Sequence, residues 1–433
     1  MGATASRAPR SVVVLEGHSG LLRVNHMLIA LIIRDFRCKP LFRLTRLQES
    51  YRDALPNSCL LLCEMPVRTA EPQERKERMT NDLAQRFGQN PILRPRDLRP
   101  SFAGMEVTCL LNPGVFRFQN KTWLLIRVAE RPQQVPGKTS FPILDPEGRL
   151  EVLEFDSADP RLDLSDPRVI SFEGRDYLTT LSHLRLLTSD DGVHFVEPEQ
   201  SQPLMGTGEL ETYGIEDCRV AKIDGTYYLT YTQVSNNGVG VGLRTTRDWK
   251  NFANEGMIFP PHNKDCALFE EQIGGKYYAF HRPSSPELGG NYIWLSESPD
   301  LIHWGKHRCV AHSRKGYWDS ARVGAGAAPI RTSEGWLEIY HGATKENRYC
   351  LGALLLDLNE PWRLLARSET PIMEPLTRYE QDGFFGQVIF TNGHLVDGDR
   401  LTIYYGASDS VICAATFSIN EILTSLNVLR EWA

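Results

Sequence analysis

The 433-residue sequence predicts an all-β chain: a five-bladed β-propeller with an N-terminal extension and a short C-terminal helix. Two repeats predict it. In the first, a polar residue heads a short apolar run. The copies are Asn112-Pro113-Gly114-Val115-Phe116, Asp166-Pro167-Arg168-Val169-Ile170, Asp217-Cys218-Arg219-Val220 and Asp265-Cys266-Ala267-Leu268-Phe269, with echoes at 326–330 and 386–390. Their spacing is about 50 residues, the period of one propeller blade. Most are followed by a Gly or Asn turn and a second strand, as in Asp224-Gly225 before Thr226-Tyr227-Tyr228-Leu229. In the second repeat, a turn rich in Asp, Pro or Gly precedes an aromatic. It occurs at Ser189-Asp190-Asp191-Gly192 before Phe195, Thr246-Arg247-Asp248-Trp249 before Phe252 and Ser298-Pro299-Asp300-Leu301 before Trp304, with a weaker copy at Asn359-Glu360-Pro361-Trp362. Such an aromatic plugs the space between neighbouring blades. The first strand of each blade lines the axis, so the polar heads should meet around one funnel.

Taken in order, residues 1–90 read as the extension, partly helical or disordered, with a short helix over 77–87. Residues 91–433 read as the propeller and catalytic domain. The interval from Asn112 to Asp217 is about twice the usual one, so the first blade carries an insertion that includes the Asp166 unit; counting heads instead gives six blades. Residues 177–185 read as one strand. At the end, Ile422, Leu423, Leu426 and Leu429 fall at helical spacing and predict the closing helix.

Composition excludes several classes. The formal net charge is −6 with no basic block, so nothing points to nucleic acid. Nine cysteines are scattered without paired spacing, which argues against a disulfide framework or a zinc site and fits a reducing cytoplasm. Cys218 and Cys266 read as core thiols. The apolar run Met27-Leu28-Ile29-Ala30-Leu31-Ile32-Ile33 is too short to span a bilayer. Met1-Gly2-Ala3-Thr4-Ala5-Ser6 fits the loose myristoylation pattern, a match that arises readily by chance.

The strings with most chemistry are Tyr213-Gly214-Ile215-Glu216-Asp217-Cys218-Arg219, His262-Asn263-Lys264-Asp265, His281-Arg282-Pro283, Trp318-Asp319-Ser320-Ala321-Arg322, Tyr340-His341-Gly342 and Tyr404-Tyr405-Gly406-Ala407-Ser408-Asp409. In this order and at these intervals the chain resembles glycoside hydrolase family 130, the β-mannoside phosphorylases and β-mannosidases, from about Pro91 to Leu423. The resemblance implies a five-bladed propeller. It also implies phosphorolysis of β-mannosides (mannobiose, mannooligosaccharides or mannosyl-GlcNAc/glucose) with inversion, giving α-mannose 1-phosphate. Inorganic phosphate is then a co-substrate, and neither cofactor nor metal is needed.

Residue by residue, the resemblance makes Asp217 the single catalytic acid, delivering its proton to the departing oxygen by way of a mannose hydroxyl. An inverting glycosidase needs a second carboxylate to activate water. A phosphorylase needs cations to hold a dianion, and the family's phosphate positions match Lys264, Arg282, Arg322 and His341. The mannosyl ring maps onto Asn112, Arg127, Tyr349 and Asp409. Arg131 and His281 are further anion candidates, and Asp382 with Phe384-Phe385 lies where an acceptor sugar would stack. Asp166 and Asp319 read as strand caps. Cys218 and Cys266 depart from the family pattern behind the funnel. The extension has no counterpart; relatives use N-terminal segments in oligomer contacts, which keeps a homo-oligomer open. Two alternatives stand beside the phosphorylase: a β-mannosidase with Glu216 or Glu211 supporting water, and a non-catalytic glycan-binding propeller. The linkage and acceptor are left open.

Overall fold

The computed structural model describes residues 82–428, except 167, 200 and 285–288, together with two short strands, Arg23–Val24 and Met27–Leu28, which pair antiparallel. The chain divides into two compact units, Met1–Arg78 and Met79–Ala433. The myristoylation pattern and nearly all of the extension lie outside the described residues.

The second unit is nearly all β. Its α-helices among the described residues are Arg378–Gln381 and Ile419–Ser425. Five antiparallel sheets follow one another as meanders. The first holds Met105–Phe118, Lys121–Pro132 and Leu181–Ser189; the second runs from Ile215–Ile223 to Ala253–Phe259; the third from Asn263–Leu268 to Gly305–Ala311. The fourth runs from Arg322–Ala325 to Leu364–Arg367, and the fifth from Ile389–Asp397 to Val411–Ser418. Between the second and third strands of the first sheet sit two small extra sheets, Lys138–Leu144 with Leu150–Asp156, and Leu162–Asp166 with Val169–Phe172 and Arg175–Leu178.

The turn repeat has a physical basis. Ser189 Oγ, Thr246 Oγ1 and Ser298 Oγ each accept from the N–H three residues on, at 2.9, 3.0 and 2.9 Å. Asp191, Asp248 and Asp300 Oδ1 each accept two further N–H groups. These side chains replace the backbone bonds the turn lacks. Each turn's aromatic then packs on the sheet before it. Trp249 stacks on Phe116 at 3.7 Å, Trp304 lies 5.7 Å from Phe259 and Trp362 lies 6.4 Å from Tyr278. Phe195 of the first sheet meets Tyr404 of the fifth edge-on at 5.6 Å, which carries the pattern from the last sheet back to the first. In the second copy Trp249, not Phe252, goes deepest.

The head repeat is a bulge repeat. The first strands of the first, second, third and fifth sheets slip register at Leu111/Gly114, Glu216/Arg219, Lys264/Ala267 and Thr391/Gly393. Asn112, Asp217 and Asp265 take left-handed φ values of 36°, 50° and 53°, a conformation Asn and Asp tolerate better than most residues. A bulge re-aims the side chain away from the ladder. Buried Arg219 links these heads: it donates to Asp217 O (2.9 Å), Gly326 O (3.0 Å), Ala325 O (3.0 Å) and Asp265 Oδ1 (3.2 Å), joining the second, third and fourth sheets.

Several expectations are corrected. The described part of the expected 77–87 helix is not helical; Gln85–Arg86 instead forms a strand on Val411–Ser418, because an exposed sheet edge offers unpaired N–H and C=O groups. Asp166 heads no strand of the five sheets. It ends a hairpin strand in the insertion and is ion-paired to Arg168. The strand expected over 177–185 is two, broken between Leu178 and Leu181 where the insertion rejoins the first sheet. The closing helix forms but stops at Ser425, and Asn427–Val428 pairs with Leu364–Arg367. Asp319 is no simple cap: it accepts from Arg314, Arg367 and Tyr340 in a buried network.

Candidate active site

A cavity of about 510 Å³ opens where the bulged heads converge. Its walls include Asn112, Arg127, Glu216, Asp217, Lys264, Asp265, Arg282, Arg322, Tyr349 and Asp409. Eight of the nine expected site residues therefore line one space. The ninth, His341, is not a wall residue; it lies one layer back, with Nε2 3.2 Å from Asp265 Oδ2 and its ring 4.1 Å from that of Phe390.

At one end Asp217 Oδ1 accepts from Asn112 Nδ2 (3.0 Å) and Arg127 Nη1 (3.1 Å), while Arg127 Nη2 reaches Glu216 Oε1 at 2.7 Å. Burial pushes the Asp217 carboxyl up, but Arg127, Arg219, Lys264 and the Asn112 amide outweigh it and hold it below the usual carboxylate range. Asp409 behaves oppositely. Burial, reinforced by the charges of Asp217 and Glu216 and only partly offset by Arg127, pushes it up to about 6. The neighbouring carboxylates are thus driven apart. Asn112 Oδ1 is buried with no hydrogen-bond partner.

At the other end Lys264 and Arg282 face each other across adjacent strands. Arg282 Nε lies 2.7 Å from Asp265 Oδ2. Burial alone would raise Asp265, yet Arg282, His341 and Arg219 hold it well below its ordinary range. Burial drives His341 down to about 4 despite Asp265, so it is a neutral imidazole near pH 7. A Cβ on Gly324 would meet Asp265 Oδ2 at 2.3 Å and His341 Nε2 at 2.4 Å; only glycine lets this pair close. Arg322 donates to Tyr349 Oη (3.0 Å) and Asn347 Oδ1 (2.6 Å), which puts Tyr349 beside the cations as well as near the mannosyl set.

Other candidates fall elsewhere. Arg131 is paired with Glu106, at 2.5 Å, outside this cavity. His281 is stacked on Phe259 at 4.3 Å and hydrogen-bonded to Ser296; burial takes it down to about 3. Asp382 pairs with Arg378 and lines no part of the cavity, whereas Phe384 and Phe385 do. Glu211 is buried and held by Tyr231, Gln233, Arg244 and the Thr207 N–H, so it is no base for this site. Cys218 and Cys266 are buried thiols. Two wall residues carry no clear signal in the sequence. Arg168 is hidden inside a unit that mimics the blade repeat, and Asn347 sits in a short turn with no motif around it. Among the described residues no group of three His, Cys, Asp or Glu side chains is placed to hold a metal, and no helix is long and apolar enough to cross a membrane.

Comparison with known proteins places this geometry. The family model described as beta-1,4-mannooligosaccharide phosphorylase matches residues 179–429. A beta-1,2-mannobiose phosphorylase from Listeria innocua is 44% identical over 349 residues, covering 79% of this chain and 98% of that protein. A 1,2-beta-oligomannan phosphorylase from Thermoanaerobacter is 37% identical, over 56% of this chain and 80% of its own length. The solved structure of the Listeria enzyme with beta-1,2-mannobiose superposes with a TM-score of 0.75 at 43% identity, over 79% of this chain and 98% of that one. The chain belongs to glycoside hydrolase family 130.

Proposed function

We propose that this chain is an inverting phosphorylase that cleaves β-1,2-linked mannosides with inorganic phosphate, releasing α-mannose 1-phosphate. One observation carries the reading. Lys264, Arg282 and Arg322 share a cavity with Asp217, and every carboxylate on its walls other than Asp409 is already engaged by a cation. Glu216, the base of the hydrolase reading, is tied to Arg127. A dianionic nucleophile is thus provided for among the cations, while Asp409, among the described residues the one wall carboxylate without a cation partner, belongs to the Arg127–Asp217 end and not to the Lys264–Arg282 end. The β-1,2 linkage rests on the Listeria relative, which is more similar than the 34% identical beta-1,4-mannooligosaccharide phosphorylase from Ruminococcus albus and matched over more of its length.

In this reading the mannosyl ring lies among Asn112, Arg127 and Asp409. The unpartnered Asn112 Oδ1 accepts from a sugar hydroxyl. Phosphate sits on Lys264, Arg282 and Arg322, with His341 and Asp265 bracing Arg282 from behind. A phosphate oxygen attacks the anomeric carbon on the face opposite the leaving oxygen. The C–O glycosidic bond breaks, and the leaving oxygen takes up the proton that the Asp217 carboxyl supplies through a mannose hydroxyl. The low resting pKa of Asp217 suits an ordered arrival. Lys264 is both one of the cations that hold it ionised and one that a bound dianion neutralises, so phosphate raises the carboxyl toward the protonated form the reaction needs.

The five sheets are read as five blades of a propeller, supported by the cyclic packing of Trp249, Trp304, Trp362 and Phe195. The strand at Gln85–Arg86 moves the start of the catalytic domain a few residues ahead of Pro91, leaving the preceding residues as an extension. A panel of β-1,2- and β-1,4-mannobiose, assayed with phosphate, tests the assignment. Phosphate-dependent cleavage of the β-1,2 sugar is expected; cleavage of the β-1,4 sugar alone would overturn the linkage.

A further inference from the structure

In the fourth sheet the place of a bulged head is taken by a gap in the ladder. Its first strand pairs with Trp336–Ala343 as far as Ala325 opposite Tyr340, and pairing resumes at Ile330 opposite Leu337. Glu338 and Ile339 stand across from the gap. The side chain of Glu338 fills it: the Gly326 N–H donates to Glu338 Oε1 at 2.8 Å. A Cβ on Gly326 would meet Ile339 O at 2.3 Å, so this close approach needs glycine. Glycine also leaves the backbone freer to rotate, and the Glu338 carboxyl is what fixes it.

The peptide that Glu338 holds also holds Arg219. The Gly326 N–H and the Ala325 C=O belong to one peptide unit. Ala325 O accepts from Arg219 Nη2 and Gly326 O from Arg219 Nε, both at 3.0 Å. Arg219 Nη1 in turn donates to Asp217 O at 2.9 Å. A chain of hydrogen bonds thus runs from Glu338, through one peptide and one guanidinium, to the left-handed residue that carries the acid. Bonds in such a chain polarise one another. Arg219 is also one of the cations that hold the Asp217 carboxyl low.

Glu338 is 1% exposed, and its Oε2 is buried with no hydrogen-bond partner among the described residues. Burial pushes its carboxyl well above the ordinary range, and the Gly326 N–H and Arg219 oppose this only in part. It therefore contributes an acceptor and not a charge. Its cross-strand partner is Leu354, and an apolar side chain would avoid the cost of an unpaired oxygen. What the carboxyl supplies in return is the bond to Gly326.

Resting on the phosphorylase reading, we propose that Glu338 is a positioning residue for Asp217, acting through the Ala325–Gly326 peptide and Arg219.

The test measures phosphorolysis of β-1,2-mannobiose across pH by the full chain and by Glu338→Gln, Glu338→Asp and Glu338→Leu, with thermal melts to establish folding. Glu338→Leu removes the acceptor and is expected to lower kcat by about tenfold, the scale of one buried hydrogen bond lost. Glu338→Asp draws the acceptor back and is expected to fall in between; it carries the test if the leucine variant does not fold. Glu338→Gln keeps an acceptor for Gly326 and is expected to recover most of the activity. The alkaline limb of kcat, which reports the acid, should move to higher pH in the leucine and aspartate variants, because Arg219 is no longer fixed beside Asp217. The other groups facing Asp217 are Asn112 and Arg127 from the first sheet, the adjacent Glu216, Lys264 from the third sheet and Asp409 from the fifth, and all of them are left in place. A limb unmoved in the folded leucine or aspartate variant, or a glutamine variant as impaired as the leucine one, would overturn the positioning role. Absence of phosphate-dependent cleavage by the unaltered enzyme would overturn the phosphorylase reading, and this inference with it.

Discussion

Arg127 Nη1 lies 3.1 Å from Asp217 Oδ1, and the same guanidinium grips the adjacent Glu216. The guanidinium helps hold the Asp217 carboxyl low and, in the proposed mechanism, leaves Glu216 unavailable as a base for water. Asp217→Asn keeps the shape and the Asn112 contact but carries no proton to deliver. It is expected to lower kcat by about 10²- to 10⁴-fold while mannoside binding persists, as measured by calorimetry with the disaccharide. A loss confined to KM would contradict the acid role.

Protonation of Asp217 should follow the anion. Sulfate is a dianion that does not titrate near neutrality, so its binding reports on the protein alone. Calorimetry at pH 6 in buffers of different ionisation enthalpy should show net proton uptake on sulfate binding. The uptake should shrink in Asp217→Asn, because Lys264, one of the cations that hold this carboxyl low, is one that the anion neutralises.

Asp409 links stability to function. Its pKa rises from 3.8 to about 6 on folding, so the folded protein binds the proton more tightly than the unfolded chain. The stability this contributes is complete below about pH 3.8 and lost as pH rises through 6. Asp409→Asn avoids that loss. It should be more stable than the parent by roughly 3 kcal/mol at pH 7, the equivalent of a shift of about two pKa units, and nearly equal at pH 4. Thermal melts at the two pH values check this, and mannoside affinity should fall in the same variant.

The proposed phosphate end depends on close approach. Gly324→Ala places a methyl against Asp265 and His341. A destabilisation of about 1–3 kcal/mol is expected from overpacking, with a raised KM for phosphate and little change in mannoside binding. Arg282→Lys keeps the charge but gives up the planar fork, and should raise the phosphate KM roughly tenfold.

Much of the fold and most of the site can be read from the amino-acid sequence. The repeat heads are legible because Asn112, Asp217 and Asp265 need a bulge with a left-handed residue, which favours Asn and Asp at a fixed place in each unit. The turn aromatics are legible because the Asp-rich turn and its plug are neighbours in sequence. Asp166 misleads because a hairpin end in the insertion uses the same Asp-Pro signal as a blade head. The 77–87 segment misleads because its strand exists only against a partner some 330 residues away, which no local pattern encodes. His341 belongs by motif with the phosphate cations, but only tertiary packing decides that it stands behind Asp265 rather than on the cavity wall.

In the proposed reaction phosphate, not water, is the nucleophile. Proton NMR of β-1,2-mannobiose with the enzyme, with and without phosphate, tests it most directly. With phosphate, α-mannose 1-phosphate and mannose are expected in equal amounts; without it, no cleavage is expected. Mannose release at the same rate in both samples, with no sugar phosphate formed, would contradict it.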